Sequence, residues 1–129
     1  AFEKEEMKQY EEEVRRRLGD TAAYGEYQQK AKGRTDAEQA EIASRLMERF
    51  ARIGRLRQGS PADQAVQEEV AGIQAFITEH YYQCTDEILH GLGEMYAGDE
   101  RMKRNIDKAG GEGTAAFVSQ AVALYCARE

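Results

Sequence analysis

His80 and Cys84 are the residues that first suggest chemistry, because they stand four positions apart and would share one face of a helix. Such a pair could belong to a metal site or to a Cys–His nucleophile, and His80 or His90 could ligate a haem. Zinc needs three or four ligands, however, and no third group near His80 is placed to orient the ring. We therefore expect no metal, no cofactor and no catalytic residue, with an enzyme or haem protein kept as the alternative.

Tyrosine is the residue type that the composition singles out, with seven Tyr and no Trp. Six of the tyrosines fall into an apolar-poor front group and an apolar-rich later group: Tyr10, Tyr24 and Tyr27, and Tyr81, Tyr82 and Tyr96. Tyrosine combines a broad apolar face with a hydroxyl, which suits a pocket that accepts varied molecules. The alternative is that these are ordinary half-buried tyrosines at helix contacts.

The charge of the chain is acidic and unevenly placed. There are 24 acidic residues against 18 basic ones, a net charge of −6, which is poorly suited to nucleic-acid binding. Between Gly59 and Glu100 the sequence has nine acidic residues and neither Lys nor Arg. This segment is either a solvated acidic surface or the source of a field that favours cationic ligands.

The elements that must position these residues are predicted to be helices throughout. A length of 129 residues suits one domain, and a single Pro with few β-branched residues argues against a sheet sandwich. Helical spacing of apolar residues predicts helices over about 7–18, 20–32, 35–58, 61–80, 85–98, 99–109 and 112–127. The sequence has no signal-peptide pattern and no apolar run long enough to span a membrane, so we expect a cytoplasmic protein without membrane contact.

Several of these helices begin at recognisable capping residues. Thr35 followed by Glu38 has the pattern of a capping box. Ser60 can cap the next helix, with Pro61 at its first position. Two further N-caps are predicted at Thr85 and Asp99.

Large apolar side chains are distributed unevenly along the chain. Of Val, Ile, Leu, Met and Phe, residues 1–40 contain four and residues 41–129 contain 21. Four such side chains cannot offset the backbone entropy that is lost when forty residues become ordered. We infer that residues 1–34 form a weakly ordered N-terminal lid over a helical core of residues 35–129, and that the lid docks when a ligand adds apolar surface. The alternative is a helical hairpin packed by its tyrosines.

The last predicted helix differs from the others in being apolar over most of its girth. It carries Phe117, Val118, Val122, Leu124 and Tyr125. A helix with apolar residues on most sides belongs in a core, so we expect these side chains to be buried.

The stretch from His80 to Asp107 reads HYYQCTDEILHGLGEMYAGDERMKRNID. In the order and spacing of its H-Y, L-G-E-M-Y, D-E-R and N-I-D elements it resembles the TipAS antibiotic-recognition domain, the drug-binding C-terminal module of a group of MerR-type transcription activators. The N-terminal side, with YEEEVR from Tyr10 and GDT from Gly19, is similar to the start of the same domain. The resemblance extends over nearly the whole chain.

The resemblance implies an all-α, globin-like fold of about six to seven helices without haem. It implies that the N-terminal helices are mobile without drug and close over it when it binds. In full-length activators of this family a winged-helix DNA-binding domain and a dimerisation helix precede the module. DNA contact and homodimer formation are therefore expected of a longer protein, and the alternative is a stand-alone drug-sequestering resistance protein of the same fold.

One position departs from the family pattern. The thiopeptide-binding prototype captures its ligand covalently through a cysteine just before L-G-E-M-Y, and this sequence has Gly91 there. The remaining local thiol, Cys84, lies two turns earlier. We expect reversible binding in a broader pocket, because Gly91 leaves space beside Glu87 and Met95.

These observations together predict a site for a bulky amphipathic molecule such as an antibiotic. Leu92, Met95 and Tyr96 either offer apolar contact to it or are plain core residues. Glu87 either attracts positive charge or is a solvated helix residue. The predicted ligand-binding residues are Tyr10, Tyr24, Tyr27, His80, Tyr81, Glu87, Gly91, Leu92, Met95 and Tyr96.

Overall fold

The computed structural model of the protein describes residues 22–128. Six helices follow one another in this range: α1 (Ala22–Ala31), α2 (Asp36–Gly54), α3 (Gln64–His80), α4 (Asp86–Gly98), α5 (Glu100–Gly110) and α6 (Thr114–Cys126). The prediction of an all-α fold is confirmed. The first predicted helix and Tyr10 lie outside the described residues. Across residues 22–128, none of the helices has the length and apolarity that crossing a membrane requires.

Local hydrogen bonds fix several helix starts where the sequence predicts them. The backbone N–H of Glu38 donates to Thr35 Oγ1 at 3.1 Å, and that of Thr35 donates to Glu38 Oε1 at 2.8 Å, which completes the capping box. Hydrogen bonds from the backbone N–H and the side chain of Thr35 to the Glu38 carboxyl hold its pKa below the ordinary value. Thr85 and Asp99 accept backbone N–H bonds from the first turns of α4 and α5, so both predicted N-caps are confirmed.

The predicted start of α3 is wrong by a few residues. The helix begins at Gln64, and its N-cap is Asp63 rather than Ser60. Ser60 Oγ instead accepts from the backbone N–H of Ala62 at 3.1 Å, and Asp63 Oδ2 accepts from that of Ser60 at 3.0 Å. These side-chain bonds stabilise a turn, and Pro61 therefore lies in the turn before the helix.

The end of α2 also differs from the prediction, because the helix ends at Gly54 rather than near Gln58. Gly54 lies where α2 passes the end of α5, and a Cβ there would be 2.6 Å from the Gly110 carbonyl oxygen. The Arg57 guanidinium donates to the carbonyl oxygens of Gly110 and Glu112, each at 3.0 Å. The turn after Gly54 therefore joins the two helix ends.

All six helices contribute buried apolar side chains to one core. Helix α6 lies against α4, and the two helices approach closely where Gly93 faces Val122, since a Cβ on Gly93 would be 2.7 Å from Val122 Cγ1. The predicted burial of Phe117 is confirmed. That of Leu124 is wrong: this side chain is 45% exposed because it lies on the side of α6 away from the buried face.

Candidate functional site

Three of the predicted site tyrosines meet where α1 lies against the end of α3. The ring of Tyr27 stacks on that of Tyr81 with centroids 5.7 Å apart, and the Tyr24 centroid is 6.3 Å from that of Tyr27. Tyr27 and Tyr81 are buried and Tyr24 is half-buried. Residues three apart lie on one side of a helix, so α1 presents Tyr24 and Tyr27 together. We call Tyr24, Tyr27 and Tyr81 the tyrosine row.

Hydrogen bonds also join α1 to other elements of residues 22–128. Gln39 Nε2 donates to Tyr27 Oη at 3.3 Å, Lys30 Nζ donates to the Glu79 carbonyl at 3.2 Å, and the Gln83 N–H donates to Glu26 Oε2 at 3.2 Å. Those of Lys30 and Gln83 are exposed to solvent. Exposed hydrogen bonds exchange readily with water, so these two contribute little to the attachment of α1.

His80 extends the aromatic surface next to Tyr81. Its ring centroid is 4.4 Å from that of Phe76, and its Nε2 is 3.6 Å from Glu79 Oε2. Burial lowers the pKa of His80 below its ordinary value, although the Glu79 carboxylate opposes the shift. The shift favours the uncharged ring, which adds a half-buried aromatic surface next to Tyr81.

The predicted site residues of α4 divide into buried and outward-facing ones. Leu92, Met95 and Tyr96 lie in the core, where the Tyr96 ring meets Phe50 edge to face with centroids 4.9 Å apart. Gly91 is half-buried, and a Cβ there would have nothing within 4 Å. Glu87 is exposed. Contact of these residues with a ligand stays a prediction.

Tyr82 is not among the predicted site residues, but its side chain is completely buried together with its hydroxyl group. Both Tyr82 and Tyr96 are 0% exposed, and within residues 22–128 neither hydroxyl has a hydrogen-bond partner. The signal in the sequence was the pair Tyr81–Tyr82 directly after a helix end, where a second large aromatic residue must turn inward to be covered.

A groove beside α3 is the second feature that the sequence reasoning missed. Its volume is about 510 Å³, and it is lined by Ala71, Gln74, Ala75, Thr78, Glu79, Gln83, Cys84, Thr85 and Asp86. Gln74 Nε2 donates to the Cys84 carbonyl at 3.0 Å and to Asp86 Oδ1 at 2.8 Å. This bond from Gln74, together with Arg128, holds the pKa of Asp86 below its ordinary value. Ala71 and Ala75, two small residues four positions apart on α3, are the sequence signal that could have indicated this groove.

The thiol of Cys84 is poorly suited to nucleophilic chemistry. The residue is 2% exposed, and burial raises the pKa of its thiol to about 12, with Cys126 and Asp86 adding to the shift. The reactive form of cysteine is the thiolate, so this thiol stays protonated and unreactive at neutral pH. Among residues 22–128, no three His, Cys, Asp or Glu side chains are grouped so that they could hold a metal ion.

Arginines from other parts of the chain neutralise some of the acidic segment. Glu69 lies 4.0 Å from Arg49 and 3.9 Å from Arg52, and Asp86 lies 3.0 Å from Arg128. These are pairs at the surface, where water screens them. These ion pairs favour the interpretation of the segment between Gly59 and Glu100 as a solvated acidic surface over its interpretation as the source of a field that attracts cationic ligands.

Comparison with known proteins gives a family. The TipAS antibiotic-recognition domain matches residues 10–125. The chain is 34% identical over 127 residues to the HTH-type transcriptional activator Mta of Bacillus subtilis, covering 95% of this chain and 47% of Mta. It is 36% identical over 124 residues to the HTH-type transcriptional activator TipA of Streptomyces coelicolor, covering 93% of this chain and 48% of TipA. The chain thus spans about half the length of these relatives.

A solved structure has a similar fold. TipAS of Streptomyces lividans, in complex with nosiheptide and belonging to a thiopeptide antibiotic multidrug resistance system, is 32% identical and superposes with a TM-score of 0.76. The match covers 92% of this chain and 84% of that one.

Proposed function

The chain belongs to the TipAS antibiotic-recognition domain family, and we propose that it binds a bulky, antibiotic-like molecule as the effector domain of a MerR-type transcriptional activator. The observation that carries the proposal is the similarity over most of the chain to a TipAS protein that holds nosiheptide. Relatives that are transcriptional activators support the regulatory role. A binding domain also agrees with the protonated, buried Cys84, which is unsuited to catalysis.

We propose further that residues 1–34 act as a lid over a core of residues 35–129, within one domain. The attachment of α1 supports this division, because its buried side chains are Ala23 and Tyr27, and two of its hydrogen bonds to other elements are exposed. A ligand with apolar surface would add contacts to α1. Part of the binding free energy is then spent on ordering the lid, so the affinity is lower than the contact area alone implies.

The ligand site in this proposal lies beneath the lid and uses the tyrosine row, His80, and Tyr10 of the N-terminal segment. Leu92, Met95 and Tyr96 line it when the lid moves, and Glu87 lies on the exposed side of α4. Gly91 in place of the capturing cysteine makes binding reversible. Ordering of the lid is the signal that the longer protein passes on to its DNA-binding part.

DNA binding, homodimer formation and cytoplasmic action belong in this proposal to the longer protein. The drug-sequestering alternative predicts that the chain binds drug with no DNA-binding part attached. The gene's full reading frame separates the two, since an upstream winged-helix domain identifies a regulator.

The proposal is tested by thermal unfolding of the protein against a panel of antibiotics that includes nosiheptide and cationic dyes. A ligand present at a hundredfold excess over its Kd stabilises the folded state by about 2.7 kcal/mol, which is readily seen as a higher melting temperature. We expect a shift with at least one amphipathic compound. The absence of any shift across the panel, confirmed by equilibrium dialysis with nosiheptide, contradicts the proposal.

A further inference from the structure

Two tyrosine hydroxyl groups are buried without a hydrogen-bond partner in the part of the chain that the structure describes. Tyr82 and Tyr96 are both 0% exposed, and neither hydroxyl has a hydrogen-bond partner among residues 22–128. Buried polar groups are nearly always paired, because an unpaired one loses its bonds to water without replacement. By contrast, the Tyr125 hydroxyl donates to Gln74 Oε1 at 3.1 Å. A hydrogen-bond partner for the Tyr82 and Tyr96 hydroxyls would therefore lower the free energy of the folded protein.

These two phenols share their surroundings with the Cys84 thiol. Burial raises the pKa of Tyr96 well above its ordinary value, and the neighbouring Tyr82 and Cys84 raise it further. Burial and Cys84 likewise raise the pKa of Tyr82. All three groups thus remain protonated at neutral pH. We call Tyr82, Tyr96 and Cys84 the buried hydroxyl cluster.

Helix α1 lies against the chain segment that carries Tyr82. Tyr81, just before it, stacks on Tyr27 of α1, and the backbone N–H of Gln83, just after it, donates to Glu26 of α1. When α1 moves away, the connection between α3 and α4 loses these contacts on both sides of Tyr82. A molecule that takes the place of α1 there lies against the segment that carries Tyr82.

We propose that the Tyr82 and Tyr96 hydroxyls form the polar floor of the ligand site and bind a neutral heteroatom of the ligand, such as an amide carbonyl or an azole nitrogen. The inference rests on the proposed function. A neutral partner fits because the two phenols offer O–H groups rather than an opposite charge, and a buried unpaired charge is far more costly than a buried neutral group. The hydroxyls then lower the stability of the free protein and raise its affinity for the ligand.

The test uses Tyr82→Phe and Tyr96→Phe, which remove one hydroxyl each and keep the ring. Ligand-free thermal unfolding should show each variant melting about 2–5 °C higher than wild type, because an unpaired polar group is gone. The Kd for nosiheptide, measured by equilibrium dialysis, should rise about five- to twentyfold with each change. The compound of the antibiotic panel that most raises the wild-type melting temperature serves as a second probe.

Tyr125→Phe is the matched control, because its hydroxyl has a partner outside the cluster. It should melt lower than wild type and bind both probes within about twofold of the wild-type affinity. Phe variants at 82 and 96 that melt lower than wild type would mean that an ordered water already satisfies the hydroxyls, which overturns the inference. Unchanged probe affinity in both variants overturns it as well, while the proposed function stands. A wild-type protein that binds neither probe overturns both.

Discussion

Tyr27 of α1 and Tyr81 at the end of α3 lie face to face, with ring centroids 5.7 Å apart and ring planes 18° apart. The Gln39 side chain donates to the Tyr27 hydroxyl at 3.3 Å and fixes the ring from a third element. Stacked aromatic pairs contribute about 0.5–1.5 kcal/mol beyond the area that they bury. This contact therefore contributes to the attachment of α1 to the end of α3.

Replacing Tyr24 and Tyr27 together by Ala tests the role of the tyrosine row. The double variant loses the stack on Tyr81, so we expect nosiheptide binding to weaken by tenfold or more. Melting of the body formed by α2 to α6 should change by no more than about 2 °C, since its own contacts are intact. Calorimetry for melting and equilibrium dialysis for binding measure the two effects separately. If the double variant lost melting stability of α2 to α6 as well as nosiheptide affinity, Tyr24 and Tyr27 would support the fold rather than bind the ligand.

Gly91→Cys tests whether an outward position on α4 can restore covalent capture. A Cβ at Gly91 has nothing within 4 Å, so the variant should melt within about 2 °C of wild type or above it, because Gly is a poor helix former. Incubation with nosiheptide should give a covalent adduct by intact mass for the variant and none for wild type.

The matched control is Gly93→Cys, two residues along the same helix. Its Cβ would meet Val122 Cγ1 at 2.7 Å, and the stiff Val side chain cannot move away easily. We expect a loss of about 1–3 kcal/mol in the free energy of unfolding. A stable Gly93→Cys together with an unstable Gly91→Cys would contradict the packing of α4 on α6.

His80 makes stability depend on pH near neutrality. Burial lowers its pKa in the folded state, so the unfolded chain takes up a proton more readily. Stability from this residue is present above the unfolded pKa of about 6.5, and it is lost as pH falls through the lower folded value. Thermal unfolding between pH 7.5 and 5 should show this decline, and His80→Asn should reduce it.

The exposed His90 provides the comparison for this experiment. His90→Asn should leave the decline between pH 7.5 and 5 close to that of wild type. A decline that persists in His80→Asn and vanishes in His90→Asn would refute the role given to His80.

Gln74→Ala removes a side chain that joins three elements. Gln74 accepts a bond from the Tyr125 hydroxyl and donates to Asp86 and to the Cys84 carbonyl. We expect a loss of about 1–3 kcal/mol by chemical denaturation, and an upward move of the Asp86 pKa by NMR titration. The exposed Gln120→Ala serves as the control and should change stability by less than about 0.5 kcal/mol. An unchanged Asp86 pKa would show that Arg128 alone sets it.

Local sequence patterns predicted most of the helices because caps and apolar spacing act over a few residues. The Thr35–Glu38 capping box and the buried positions of α2 follow from such patterns. The start of α3 was missed because Ser60 and Asp63 form a turn whose bonds compete with helix capping. The exposure of Leu124 depends on which side of α6 packs against α4. Because α6 is apolar on most sides, its amino-acid composition does not show which side is buried.

The candidate site was less predictable, since it depends on distant contacts. The sequence placed Tyr24, Tyr27 and Tyr81 in one site, but their order and stacking arise from the approach of α1 to the end of α3. It did not find Tyr82, whose inward turn follows from the irregular backbone at Tyr81 after α3. The sequence does not decide whether Met95 and Tyr96 belong to the core or to a pocket, and the structure places both side chains in the core.

Hydrogen exchange with and without nosiheptide measures the central claim, that a ligand completes an incompletely attached lid. We expect amides in residues 5–32 of the free protein to exchange quickly, while those of α4 and α6 are strongly protected. Addition of nosiheptide should slow exchange in residues 5–32 by more than tenfold. Strong protection of residues 5–32 in the free protein, unchanged by nosiheptide, would contradict the account.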